Sequence, residues 1–212
     1  MRIVCLSDTH GKEEQIKIPF GDILIHCGDF SMRGSENEFR EFASWFNAQP
    51  HQYKLCCPGN HDWLAQRNME LAKEIFKPSQ LLHNEGIEIN GVKFWLSAST
   101  PWFYDWAFNF RRGADIAKEW NLIPDDADVL ITHGPPNGIL DEVERWPEVY
   151  ENVGCEELRK KVDQMPNLKL SIFGHLHLRG GQSMKLGNTT FANVASVNED
   201  YKVVNEPFIF DI

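Results

Sequence analysis

Short apolar runs alternate with polar loops along this chain, and the runs end alike. Arg2 to Leu6, Asp22 to His26, Tyr53 to Cys56, Asp128 to Ile131 and Leu168 to Phe173 are continuous apolar stretches, the pattern of strands buried on both faces. They empty into Ser7-Asp8-Thr9-His10-Gly11, Cys27-Gly28-Asp29, Cys57-Pro58-Gly59-Asn60-His61-Asp62, Thr132-His133-Gly134-Pro135-Pro136 and Gly174-His175-Leu176-His177. Between them the period changes. Ser35 and Glu38 form a capping-box signature, and Phe39, Phe42, Ala43 and Phe46 fall on one face of a helix that stops before Pro50. Further helices are predicted from Trp63 to about Phe76, Arg112 to Trp120 and Gly154 to Val162. Alternation around Asn90-Gly91 predicts a hairpin over Ile87 to Phe94, Gly187-Asn188 predicts a second, and Pro207 to Phe210 predicts a closing strand. Strand–helix alternation early, with hairpins in the middle and at the end, predicts two packed sheets flanked by helices in one domain over residues 1–212. Ser99 to Phe110, with Pro101, Trp102, Phe103, Tyr104, Trp106, Phe108 and Phe110, follows neither period. It reads equally as a core wedge or a pocket wall.

Composition narrows the function. With 42% hydrophobic and 12% aromatic residues, a full core is expected and disorder is not. The net charge of -10 disfavours adhesion to nucleic acid or an anionic membrane, and no basic track suggests a repair nuclease. An anionic small substrate would need positive charge from bound metal ions. Cys5, Cys27 and Cys56 sit in or beside apolar runs, and no cysteine has zinc-finger spacing; they read as core residues in a reducing compartment. The apolar run after Arg2 is too short for a secretion signal, and none reaches membrane-spanning length. A soluble, cytoplasmic protein is the expectation.

The chemistry lies in the loops. Five of the eight histidines, His10, His61, His133, His175 and His177, follow strands; His26, His51 and His83 do not, and no role is assigned to them. Ligand sites in α/β proteins gather at the carboxyl ends of strands. Asp8-x-His10 and His175-x-His177 place paired donors at i and i+2, which share a face of an extended segment. Mixed carboxylate, imidazole and amide donors without thiolate favour manganese, iron or zinc over a structural zinc site. Asp8, His10, Asp29, Asn60, His133, His175 and His177 are too many donors for one ion. They suit two divalent ions, manganese ahead of iron or zinc, sharing a bridging carboxylate. His61 offers an imidazole and Asp62 a carboxylate able to hold it in one tautomer.

The ordered set D-x-H, G-D, G-N-H-D, H-G and G-H-x-H resembles the calcineurin-like metallophosphoesterase superfamily. Gly28-Asp29-Phe30-Ser31, Trp120 to Pro124, Thr132 to Pro136 and the ending Pro207 to Asp211 are similar to its small metallophosphoesterase-domain-containing branch, over essentially the whole chain. The resemblance implies an α/β fold, a four-layer α/β/β/α sandwich of two mixed sheets. It also implies one metal on Asp8, His10, Asp29 and His177, and another on Asp29, Asn60, His133 and His175, with Asp29 bridging. Some animal members of the branch lack the first histidine of G-H-x-H; here His175 is present, so both sites should be complete. Those members carry Glu where this chain has Asp62. The implied reaction is hydrolysis of small phosphodiesters, such as cyclic nucleotides, by a metal-bridging hydroxide. His61 would serve the leaving oxygen and Asp62 would orient His61. Phosphomonoester or protein phosphatase activity is the alternative, and a non-catalytic scaffold a further one. Trp102, Phe103 or Trp106 could stack on a base, and Arg111, Arg112 or Arg179 could contact phosphate.

Overall fold

Two mixed sheets face each other in a computed structural model that describes residues 1–212. The first part of the chain runs β1 (Arg2–Leu6), β2 (Ile23–His26), α1 (Glu36–Ala48), β3 (Tyr53–Cys56), α2 (Trp63–Arg67), α3 (Met69–Phe76) and β4 (Gln80–Leu81). The middle holds β5 (Glu85–Ile89), β6 (Val92–Ser97), β7 (Thr100–Pro101), β8 (Asn109–Phe110), α4 (Ala114–Trp120) and β9 (Val129–Thr132). Then come β10 (Glu142–Trp146), β11 (Val149–Asn152), α5 (Glu156–Asp163), β12 (Leu170–Phe173), β13 (Gln182–Leu186), β14 (Thr189–Asn193) and β15 (Phe208–Asp211).

One sheet has the order β15-β1-β2-β3-β4, parallel except for β15. The other has the order β13-β14-β12-β9-β6-β5, parallel through β14, β12, β9 and β6 with an antiparallel strand at each edge. Alternation along the strands of this second sheet shows the layering. Val129 and Ile131 point into the main apolar cluster with Ile3, Leu24 and Leu55, whereas Leu130 points to a second cluster with Trp120 of α4 and Leu158 of α5. Helices α1 and α3 send Phe39, Phe42, Phe46 and Phe76 into the main cluster. Burying each such phenylalanine contributes about 1.5–3 kcal/mol. The result is the expected α/β/β/α sandwich.

The local reasons match the sequence. Ser35 caps α1 through the Glu38 N–H, and Glu38 reaches back to the Ser35 N–H at 2.8 Å. Asn90 and Gly91 have φ of 52° and 79°, the left-handed pair a tight hairpin needs. Three features differ from expectation. The helix predicted over 63–76 is broken at Asn68, whose backbone leaves the helical region (φ -154°) while its side chain accepts from the Leu71 N–H and starts α3. The β10–β11 hairpin falls in a charged stretch and was not anticipated. Segment 99–110 is both wedge and wall: Phe108 is buried, Phe103 and Trp106 line a pocket, and Trp102 and Tyr104 are exposed. No helix is long and apolar enough to cross a membrane.

Candidate metal centre

The five polar loops meet where the two sheets join at their carboxyl edges. Ser7 bridges to Ala195 and accepts from the Ser196 N–H, tying a loop of one sheet to a loop of the other by backbone, and the Gly174 N–H reaches His133 O within the second sheet. Close approach dictates two glycines. A Cβ on Gly28, at φ 105°, would strike His133 Nδ1 and the Gly59 backbone; one on Gly174 would strike the Asp8 carboxylate.

Asp8, His10, Asp29 and His175 have φ of 53°, 46°, 57° and 69°. Left-handed backbone costs about 1–2 kcal/mol per non-glycine residue, and such strain concentrates where side chains must be aimed. Asp8 and His10 therefore do not share a face by extended alternation, as the i, i+2 spacing predicts; a left-handed turn brings them together. His175 and His177 likewise part company. Possible ligand atoms of Asp8, His10 and His177 lie within 4.8 Å of one another, and those of Asp29, His133 and His175 form another such group. A third, of His10, Asp29 and His61, joins the two. Asn60 Oδ1 is 2.9 Å from His133 Nε2, and His133 Nε2 is 3.3 Å from Asp29 Oδ2. All seven residues expected as ligands thus meet in two adjoining clusters, with Asp29 between them.

Backbone carbonyls set the ring tautomers. His10 Nδ1 lies 3.3 Å from Ser31 O, His61 Nδ1 2.8 Å from Met32 O, His133 Nδ1 2.9 Å from Cys27 O and His177 Nδ1 3.2 Å from Asn198 O. A carbonyl only accepts, so each Nδ1 carries the proton and each Nε2 is free to face the centre. Asp62 has a different place from the one expected. Its carboxylate accepts from the N–H groups of Gly59 (2.7 Å), Asp29 (2.9 Å) and Ser31 (3.1 Å) and from the Ser31 hydroxyl (2.6 Å). The His61 ring is oriented by the Met32 carbonyl instead. Asp62 is spent on backbone because its buried side chain lies under the G-D and G-N-H-D loops.

The donor set fits a pair of divalent cations. His10 Nε2 is buried without a hydrogen-bond partner, an orphan that a cation would satisfy. Burial lowers His10 to about 4 and His175 to about 3, so both rings are neutral at pH 7 and able to meet a cation. Burial disfavours charge on Asp8 and Asp29 as well, but His177 beside Asp8 and His133 beside Asp29 outweigh it and hold both carboxylates ionised. His133 and His177 are correspondingly raised, against their own burial, by Asp29 and Asp8. Asp29 and Asp8 thus each have an imidazole Nε2 beside them, at 3.3 and 3.5 Å.

Over the donors lies a pocket of ≈ 300 Å³ walled by Phe103, Trp106 and Tyr201. Trp106 stacks on His61 (centroids 4.3 Å, 27°), and the Tyr201 edge meets His10 and His177 at 4.8 and 5.3 Å. Tyr201 carried no sequence signal, lying beyond every motif. Of the three arginines considered for phosphate, Arg179 pairs with Glu142, Arg112 with Glu156 (2.6 Å), and Arg111 is exposed; none lines this pocket. His26, buried beneath the loops, accepts from the Gly28 N–H and meets Thr9 Oγ1, each at 3.2 Å. His51 and His83 face Pro19 O and the Ala98 N–H away from the centre.

A carboxylate–imidazole cluster at the joined edges of an α/β/β/α sandwich defines a metal-binding α/β protein. The chain belongs to the calcineurin-like phosphoesterase family, whose profile matches residues 1–179. Membership makes it a phosphoester hydrolase by class. It is 35% identical over 234 residues to Metallophosphoesterase domain-containing protein 1 of Homo sapiens, covering 100% of this chain and 71% of the relative. A 3′,5′-cyclic-nucleotide phosphodiesterase of Nostoc sp. is 26% identical over 166 residues, covering 74% of this chain and 56% of the relative. Among solved structures, the phosphopantetheinyl hydrolase of Mycobacterium tuberculosis shares the fold at a TM-score of 0.57 and 17% identity, covering 94% of this chain and 90% of that one.

Proposed function

We propose that residues 1–212 form one domain, a phosphodiesterase that uses two metal ions to hydrolyse small phosphodiesters, cyclic nucleotides among them. The supporting observation is the pocket wall: Phe103, Trp106 and Tyr201 line it, and no lysine or arginine does. A monoester dianion calls for cationic partners beyond the metals. A diester carries one negative charge and two organic arms, which aromatic faces favour. Similarity to the Nostoc phosphodiesterase points the same way.

In this reading Asp8, His10, Asp29 and His177 hold one ion, Asp29, Asn60, His133 and His175 hold the other, and Asp29 is shared. When bound, the ions supply an acidified water as nucleophile and offset charge on the nonbridging oxygens. The rest falls to the chain. His61, pinned at Nδ1 by Met32 O, turns Nε2 toward Asp29 Oδ2 at 4.0 Å and, when protonated on both nitrogens, donates the Nε2 proton to the leaving oxygen. The stacked Trp106 face excludes water from one side of that ring. Asp62 positions Asp29 and Asn60 through the loops it ties, and so acts at one remove from the reaction.

The test is a parallel assay of bis(p-nitrophenyl) phosphate and p-nitrophenyl phosphate with protein loaded in turn with manganese, iron and zinc. The diester is expected to show the higher kcat/KM. A preference for the monoester would favour the phosphatase alternative, and a fully loaded but inert protein the scaffold.

A further inference from the structure

The pocket over the donors has a second lobe. A cavity of ≈ 540 Å³ adjoins it, and Phe103, Tyr104, Val143, His175 and Leu176 line both. The second lobe runs between the aromatic segment and the β10–β11 hairpin. Trp102 forms one side, and Arg145, Glu151 and Asn152 form the other. Trp102 is held in place by backbone: its N–H donates to Phe110 O at 2.8 Å, and Pro101 pairs with Phe110 in the β7–β8 ladder. The residue is nevertheless 54% exposed, and its ring meets no other aromatic ring and no cation.

Charge limits what fits there. Arg145 pairs with Glu151 at 2.6 Å; Arg112 is engaged by Glu156 at 2.6 Å and by the carbonyls of Val153 and Gly154 at 2.6 and 2.8 Å. Each guanidinium in the lobe is matched by a carboxylate, leaving no net cation for a second phosphate. Orientation limits which part of a substrate fits. His61, the donor to the leaving oxygen, lines the first lobe and not the second, whereas His175 lines both. A group reaching past His175 is therefore turned away from the departing alcohol.

We propose that the second lobe is a subsite for the arm of the diester that stays on phosphorus, and that it takes an uncharged planar aromatic group such as a nucleobase. This rests on the phosphodiesterase reading and adds to it a preference for extended diesters with an aromatic retained arm.

Bis(p-nitrophenyl) phosphate and methyl p-nitrophenyl phosphate release the same phenolate and differ only in the retained arm. In Trp102→Ala the ratio of their kcat/KM values should fall about three- to tenfold, the worth of one aromatic contact; Trp102→Phe should keep most of the ratio. An unchanged ratio in Trp102→Ala overturns the subsite. A second readout needs neither metal nor turnover. In protein labelled with fluorotryptophan, the Trp102 resonance, assigned by its loss in Trp102→Phe, should shift on titration with adenosine. A resonance unmoved at millimolar adenosine counts against the lobe. Failure of the phosphodiesterase reading shows separately, as wild-type protein that cleaves p-nitrophenyl phosphate but neither diester; that result removes the retained arm and the proposal with it.

Discussion

Asp62→Ala separates two accounts of this residue. If Asp62 orients His61, its loss slows turnover and leaves fold and metal intact. The hydrogen bonds place it instead beneath the loops that carry Asp29 and Asn60. Removing the carboxylate leaves the N–H groups of Gly59, Asp29 and Ser31 without an acceptor in a fully buried position. Each buried donor left unpaired costs about 1–3 kcal/mol, so the gross loss is about 3–9 kcal/mol. Part of that returns. Burial and the Asp29 charge push the Asp62 carboxyl up, so the folded protein gives up an unfavourably placed ionisable group, and water can enter the vacated space. The net expectation is a loss of about 3–5 kcal/mol, a large part of the stability of a typical domain. Urea unfolding of metal-free protein measures it, and elemental analysis of reloaded protein should show reduced metal content, because Asp29 and Asn60 are no longer held. A variant that unfolds within about 1 kcal/mol of wild type, binds metal normally and is merely slow would refute the reasoning.

Two further outcomes are expected. His61→Ala should keep its metals while kcat falls about 10²–10⁴-fold, the usual worth of general acid catalysis; metal lost together with activity would make His61 a ligand. The metal-free protein should lose stability on acidification between about pH 6.5 and 4. Burial lowers His10 to about 4 and His26 and His175 to about 3, so the unfolded chain binds protons on these rings before the folded one does. Stability then falls with pH by about 1.4 kcal/mol per unit for each ring, less about one ring's worth returned by Asp62, whose carboxyl, pushed up to about 7, takes its proton in the folded protein first; denaturation midpoints that stay flat from pH 6 to 4.5 would contradict it.

The sandwich was legible because its strands are uniform apolar runs and its turns carry strong signals, as at Asn90-Gly91 and in the Ser35 cap. The β10–β11 hairpin was hidden because its residues are charged and mostly exposed, so no buried face imposed alternation on them. The helix over 63–76 breaks at Asn68 because a side-chain cap competes with continuous apolar spacing. The seven donors could be read because strand-end loops gather side chains in this kind of fold. What aims their rings and His61 could not: Ser31, Cys27 and Asn198 act on His10, His133 and His177, and Met32 on His61, through backbone carbonyls, which leave no mark on residue type. Adjacency of His61 and Asp62 suggested a hydrogen-bonded pair, yet successive residues at a tight turn point apart. Tyr201 reaches the centre from a loop far along the chain, where spacing carries no information.

The central claim is a pair of ions sharing Asp29, and anomalous diffraction from crystals grown with manganese addresses it directly. Two peaks about 3.5–4 Å apart, one on either side of the Asp29 carboxylate, are predicted. A single peak, or a second one away from Asp29, would contradict the dinuclear centre.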